Sequence, residues 1–223
     1  MIHHQKNIRG LKGETNEFLL LLPTELSHLI CFTEHHLKEY VLANTHIPKH
    51  KLGAKYCRKN LKQGSVRIYV RESLKFTNIN LLKYSKEQDI EIAAFQFNIQ
   101  KGKVIILCIY RAPCGNNECF LNKLETILNS LHKHNSEFII CGNININYLE
   151  SNNKKNQLDN LLGTYNLTDT ISFPTGIVNN SVTLIDNIFI DNRRSYTIKP
   201  CSDFLITMGK FSHYSTYLFH VTI

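Results

Sequence analysis

The chain has 223 residues, of which 43% are hydrophobic and 20% are charged. This share of apolar residues excludes a disordered chain, and no run approaches the ~18 continuous apolar residues that a membrane-spanning helix needs. Lys and Arg (26) exceed Asp and Glu (18), which gives a formal charge of +8 and favours polyanionic partners. No linker or repeat divides the chain, so we expect a single domain over residues 1–223 that makes no contact with a membrane.

Cysteine usage indicates a reducing compartment. The seven cysteines form an odd set without a CxxC pair. Three of them, Cys31, Cys108 and Cys141, lie in apolar runs, where a free thiol behaves as a small core residue. Residues 1–30 lack the charged and apolar stretches of a signal peptide. We therefore expect a soluble, intracellular protein of the nucleus or the cytoplasm.

In the first half of the chain, the apolar pattern predicts one helix and four strands. Residues 15–22 have helical spacing and end at Pro23, and residues 29–32 form a continuous apolar run typical of a buried strand. Residues 66–70 alternate as a strand after Gly64. Residues 90–97 and 104–110 predict two more strands, which can pair as a hairpin.

In the second half, helices and strands alternate. Residues 118–132 have helical spacing, and Asn117 is the predicted cap. A strand over 138–141, a short helix over 158–165 and strands over 184–190 and 215–221 follow. Strands that pair both in local hairpins and through helical crossovers predict a mixed α/β sandwich.

Two of the apolar runs carry short polar clusters. Residues 138–141 break at Gly142 into Asn143-Ile144-Asn145, and residues 181–189 have a similar form around Asp186-Asn187. We interpret each run as a buried strand with a polar cluster at its end. A rigid sheet commonly presents groups to a phosphate or a metal in this way.

Nine segments follow one known family pattern in the correct order. They are residues 7–11, 31–37, 64–70, 89–92, 109–113, 142–147, 173–175, 183–189 and 212–213. The set resembles the endonuclease/exonuclease/phosphatase superfamily in the version carried by non-LTR retrotransposons, with its Gly-Asp-x-Asn and Ser-x-x-x-Ile-Asp signatures. The resemblance implies a four-layered sandwich of two mixed β-sheets flanked by helices. It also implies a domain that nicks target DNA with Mg²⁺, or Mn²⁺, to prime reverse transcription.

The resemblance also assigns the metal and phosphate ligands. Glu34 matches the glutamate that ligates the metal, and a carboxylate is the hard ligand that Mg²⁺ prefers. Asn7 matches an asparagine that organises the metal site. Tyr110 matches a tyrosine that contacts the scissile phosphate, and Asn145 matches the residue that orients the phosphate or the attacking water. From the residues alone, Tyr110 is equally well explained as an aromatic side chain packed at the sheet rim.

Asp186 and His213 match the family's carboxylate and histidine dyad, in which the carboxylate orients an imidazole that stabilises the pentavalent phosphorane. Two positions depart from the pattern. Asn143 replaces the aspartate of Gly-Asp-x-Asn, and Ser212 stands where relatives have an aspartate before the histidine. An amide has no basic lone pair at neutral pH. If each loss costs the ~10²-fold typical of acid–base groups, turnover falls by ~10⁴, and Mg²⁺ should bind weakly.

The nucleic-acid contacts are predicted from the basic segment 49–62 and from residues beside the motifs. The set comprises Lys55, Arg58, Lys59, Arg111 and Asn187. The alternative is a basic surface that serves solubility alone.

We therefore expect an impaired DNA endonuclease-like domain. A binding protein without catalysis and a phosphoesterase for small substrates are the alternatives. The chain ends at Ile223, soon after the last predicted strand, so we expect no reverse transcriptase domain in it.

Overall fold

The computed structural model describes residues 28–35, 46–61, 63–100, 102–133, 135–176 and 181–193, and the backbone alone at 2–7, 177–178, 196–200 and 216–221. The helix predicted over 15–22 lies outside the described residues. Within them, two six-stranded mixed sheets pack against each other around one apolar core. The predicted α/β sandwich is confirmed.

The first sheet combines strands from the first 71 residues with two strands from the last described part of the chain. Its strands are β1 (Ile2–Asn7), β2 (Leu29–Thr33), β3 (His50–Tyr56), β4 (Val66–Arg71), β13 (Tyr196–Pro200) and β14 (Thr216–Val221). Their order in the sheet is β13-β14-β1-β2-β4-β3. The pair β1 and β2 is parallel, and the other pairs are antiparallel. Every residue of β2 is buried, as its continuous apolar run predicts.

The second sheet is formed by the middle of the chain. Its strands are β5 (Thr77–Ile79), β6 (Glu91–Ile99), β7 (Gly102–Tyr110), β8 (Ser136–Asn143), β9 (Leu167–Asp169) and β12 (Asp186–Asp191). Their order is β5-β6-β7-β8-β12-β9, with β7 and β8 parallel. The predicted hairpin is the antiparallel pair β6–β7. A separate two-stranded sheet joins β10 (Gly176–Val178) to β11 (Ser181–Thr183).

Two α-helices are described, and a 3₁₀ turn spans Leu82–Tyr84. Helix α1 (Asn117–Leu131) makes the crossover between the parallel strands β7 and β8. Its cap is Asn116, one residue before the predicted Asn117, because Asn116 Oδ1 accepts a hydrogen bond from the Cys119 amide at 2.8 Å. Helix α2 (Asn153–Gly163) begins five residues earlier than predicted, because Asn152 caps it in the same way.

The strand that carries Asp186 differs from the prediction. We expected the polar cluster at the end of a strand, but Asp186 is the first residue of β12. Because β12 runs antiparallel to β8, its beginning lies beside the end of β8, and Asp186 pairs with Asn143. The two polar clusters therefore meet at one edge of the sheet. Among the described residues, no helix is long and apolar enough to cross a membrane.

Candidate active site

The candidate site lies at one edge of the sandwich, where central strands of both sheets end or begin. In the first sheet, β2 ends at Thr33 and Glu34 follows it. In the second sheet, β7 ends at Tyr110, β8 ends at Asn143, and β12 begins at Asp186. These three residues are in register across the neighbouring strands.

A hydrogen bond between the sheets joins Glu34 to Tyr110. The Tyr110 hydroxyl donates to Glu34 Oε1 at 2.6 Å. Glu34 adopts a left-handed conformation (φ 55°), and its amide donates to the Ser65 carbonyl at 3.0 Å. Burial raises the pKa of Tyr110, and the nearby Glu34 carboxylate raises it further. The tyrosine therefore keeps its proton and acts as a hydrogen-bond donor at this edge.

The second part of the site is a chain of polar side chains centred on Asn143, which is fully buried. Asn143 Nδ2 donates to Asp186 Oδ1 at 2.9 Å, and Asn145 Nδ2 donates to Asn143 Oδ1 at 2.5 Å. Asn145 Nδ2 also donates to the Arg111 carbonyl at 2.7 Å. Thr175 Oγ1 accepts from the Asp186 amide at 3.1 Å and so fixes the start of β12.

This chain of hydrogen bonds limits what the site can do chemically. The Asn143 amide uses its nitrogen as a donor to Asp186 and its oxygen as an acceptor from Asn145. An amide in this arrangement positions its neighbours, but it cannot take a proton from water at neutral pH. The described side chains can thus orient a ligand and donate hydrogen bonds to it, but Asn143 cannot act as a general base.

A buried ion pair behind the site was missed by the sequence reasoning. Glu91 is fully buried and accepts hydrogen bonds from Arg58 Nε at 2.6 Å, the Ser65 amide at 2.6 Å and the Gln88 amide at 3.0 Å. The Arg58 guanidinium also lies over the Tyr110 ring, 5.7 Å from its centroid. Glu91 therefore holds the loop that carries Ser65. The available signal was an acidic residue at the start of the apolar run 90–97.

The structure corrects three of the predicted nucleic-acid contacts. Arg58 is 7% exposed and is paired with Glu91. Arg111 is fully buried, and its guanidinium donates to the Gly115 carbonyl at 2.6 Å. Asn187 is fully buried in β12. Arg58 and Arg111 follow strands β3 and β7 and turn inward to the Glu91 carboxylate and the Gly115 carbonyl, so none of the three side chains presents a surface to a phosphate backbone.

Lys55 and Lys59 are exposed. They line a cavity of about 420 Å³ at the edge strands β3 and β5, together with Asn78 and Asn80. Strand β3 ends at Tyr56 opposite Val66, the first residue of β4, so residues 57–61 leave the first sheet on the side where Glu34 lies. Three amides of this loop, those of residues 59–61, donate to the Glu87 carboxylate.

The remaining predicted residues are Asn7, Ser212 and His213. Asn7 ends β1 opposite Thr33, which brings its backbone beside Glu34. Ser212 and His213 lie outside the described residues. The structure therefore brings together Glu34, Tyr110, Asn143, Asn145 and Asp186.

Solved structures with the same architecture are nucleases and phosphatases. The endonuclease domain of TRAS1, a telomere-specific non-LTR retrotransposon, superposes with a TM-score of 0.73 at 13% identity, covering 99% of this chain and 97% of that one. The 3′-5′ exonuclease NExo from Neisseria meningitidis gives 0.72 at 14% identity, and an AP endonuclease from Archaeoglobus fulgidus gives 0.69 at 12%, each covering 100% of both chains. No protein-family model and no curated protein sequence matches the chain. The chain has the endonuclease/exonuclease/phosphatase fold, as predicted.

Proposed function

We propose that this chain is a DNA-binding, nuclease-like domain related to the endonucleases of non-LTR retrotransposons, and that its ability to cut DNA is impaired or lost. One observation carries the proposal. The Asn143 amide occupies the position of the family's aspartate and donates to Asp186 Oδ1 at 2.9 Å. In the proposed phosphodiesterase site, a neutral donor would thus stand where the family has an acidic group.

The retrotransposon relationship is supported by two independent findings. The nine sequence segments occur in the order of that family, and the TRAS1 endonuclease domain shares the architecture over nearly its whole length. The proposed DNA binding is supported by the net charge of +8 and by the exposed Lys55 and Lys59 at the cavity between β3 and β5.

Magnesium fits the described residues only in part. A Mg²⁺ ion requires oxygen ligands, and Glu34, with Asn7, would hold it beside the scissile phosphate. When bound, the ion would neutralise charge on the phosphate. Asp186 already accepts the Asn143 hydrogen bond, so few anionic oxygens remain for a dication. We therefore propose weak Mg²⁺ binding.

The chain's own residues would perform the binding steps. Tyr110 remains protonated and would donate from its hydroxyl to a phosphate oxygen, after exchanging its bond with Glu34. Asn145 would orient the phosphate or the water. Asp186 would orient the imidazole of His213, which would stabilise the developing negative charge. The Asn143 amide cannot accept the proton of the attacking water, and turnover should therefore fall.

Plasmid nicking in Mg²⁺ and in Mn²⁺ tests the proposal. The proteins to compare are the wild-type chain, Asn143→Asp, and Asn143→Asp with Ser212→Asp. We expect little nicking by the wild type, a gain of ~10²-fold in Asn143→Asp and a gain of up to ~10⁴-fold in the double variant. The control is Asn122→Asp, the same change at an exposed position of α1, which should not alter nicking.

The outcomes separate the candidate functions. Restored nicking supports a degenerate endonuclease. DNA binding without nicking in every variant supports a binding protein without catalysis. Hydrolysis of small phosphate esters with no action on DNA would support a phosphoesterase. Wild-type nicking as fast as that of the double variant would refute the impairment.

A salt titration with fluorescent duplex DNA tests whether the surface that carries Lys55 and Lys59 contacts DNA. Replacing Lys55 and Lys59 by alanine should flatten the plot of log affinity against log salt by roughly two units, because each phosphate contact contributes about 0.9. The control is Lys133→Ala, an exposed lysine before the start of β8 and hence at the opposite edge of the sheet. Equal slopes for the wild type and the Lys55/Lys59 variant would show that this surface does not contact DNA.

A further inference from the structure

Three cysteines meet in the core between the two sheets. Cys31 lies in β2 of the first sheet, and Cys108 and Cys141 lie opposite each other on the parallel strands β7 and β8 of the second sheet. Their three Sγ atoms all lie within 4.8 Å of one another. All three residues are at most 1% exposed. The pair on β7 and β8 thus faces the single thiol from the opposing sheet.

The spacing suits a metal bound by three sulfurs. With a metal–sulfur distance near 2.3 Å, a trigonal site places its sulfurs about 4 Å apart. The Sγ atoms therefore need to move by less than about 1 Å to surround one ion. Cysteines that serve only as small core residues need no such convergence. Among the described His, Cys, Asp and Glu side chains, this is the cluster of three whose ligand atoms converge in this way.

We propose that Cys31, Cys108 and Cys141 form a binding site for a soft, monovalent metal ion, Cu(I). Thiolate ligands select soft ions, whereas a structural Zn²⁺ site needs four ligands in a tetrahedron. The cluster supplies three sulfurs, and two of the thiols donate to backbone carbonyls, Cys108 Sγ to Phe32 at 4.0 Å and Cys141 Sγ to Leu107 at 3.5 Å. This inference does not depend on the proposed function.

A single proton balances the charge on binding. Cu(I) replaces the proton of one of the three thiols, which goes to the solvent, and the other two sulfurs donate lone pairs as thiols. The ion and one thiolate form a neutral unit, which an apolar core tolerates.

The site lies directly beneath the candidate active site. Cys31 precedes Glu34 by three residues, Cys108 precedes Tyr110 by two, and Cys141 precedes Asn143 by two. A bound ion would connect β2 to β7 and β8 two or three residues before the residues of the candidate active site. It would therefore stabilise the contact between the sheets that carries the Glu34–Tyr110 hydrogen bond.

The experiment is an anaerobic Cu(I) titration of the reduced chain against a competing chelator, with Cu(I)–thiolate luminescence as a second signal. The wild type should bind one ion in a site shielded from water. A variant with serine at Cys57, Cys114, Cys119 and Cys201 keeps only the three core cysteines of the chain's seven, and it should bind one ion with the same affinity. Zn²⁺ under the same conditions should bind far more weakly.

Alanine at Cys31, Cys108 or Cys141 should abolish the luminescence, with circular dichroism as the check on folding. The affinity of the four-serine variant should rise about tenfold per pH unit, because one proton is displaced. At a hundredfold excess over Kd, Cu(I) should raise its Tm by roughly 5–10 °C. No binding by the four-serine variant would overturn the proposal and assign any wild-type binding to the other cysteines. Retained binding in folded Cys31→Ala would leave a site of two sulfurs and would overturn it as well.

Discussion

Replacing Asn143 by aspartate tests the hydrogen-bonded centre of the site through its stability. The change places a carboxylate where Asn143 Nδ2 now lies, 2.9 Å from Asp186 Oδ1. Two negative charges at that separation repel each other by about 6 kcal/mol at an effective dielectric constant of 20. Holding a proton on one aspartate at pH 7 costs about 4 kcal/mol, since its ordinary pKa is near 3.9. Holding a proton costs less than the repulsion between two charges, so the two aspartates of the variant should share one proton.

The pH dependence follows from this proton. The folded variant has a raised carboxyl pKa, so it binds more protons than the unfolded chain at neutral pH, and its stability falls as the pH rises. Relative to the wild type, the loss should be small below about pH 4 and should grow by about 1.4 kcal/mol per pH unit, to about 4 kcal/mol near pH 7. Mg²⁺ or Mn²⁺ should recover part of the loss by replacing the proton.

Urea denaturation between pH 4 and pH 8, with and without the divalent ion, measures this difference. Asn122→Asp makes the same chemical change on the exposed face of α1 and should show no such pH dependence. A difference between Asn143→Asp and the wild type that stays constant across this pH range would refute the reasoning, because it would show that the two carboxyl groups do not interact.

Three further changes test the surroundings of the site. Glu91→Gln should lower the free energy of unfolding by about 3–5 kcal/mol, because it leaves the buried Arg58 guanidinium without its anionic partner, and adding Arg58→Met should recover part of the loss in thermal denaturation. Glu87 accepts from three amides, which lower its pKa although burial opposes them; Glu87→Gln should therefore reduce stability above the unfolded pKa near 4.3. That difference should vanish as the pH falls through the folded pKa, and a urea-melt difference that persists in acid would contradict this. Gly142→Ala should cost about 2–4 kcal/mol, because Gly142 has φ 144° and an added Cβ would collide with the Ile109 carbonyl oxygen; an unchanged Tm would exclude that close approach.

The sequence by itself predicted the elements whose physical cause is local. Strands β2, β7 and β8 contain continuous apolar runs, and β4 alternates after Gly64; both patterns are typical of strands whatever the rest of the chain does. The hairpin β6–β7 follows for the same reason, since its two strands are close in sequence. The edge strands β3 and β5 were missed, because β3 mixes buried and exposed positions irregularly and β5 has only 3 residues, none of them buried.

Contacts between distant segments were decided only by the tertiary structure. Asp186 meets Asn143 because β12 lies antiparallel beside β8, a pairing that joins residues 43 positions apart. Arg58 and Arg111 have the composition of a basic surface, yet they are buried, because packing gave their guanidinium groups partners inside the protein. The cysteines were predicted one by one as core residues. Their convergence required the register of β7 against β8 and the packing of one sheet on the other, neither of which is a property of any single segment.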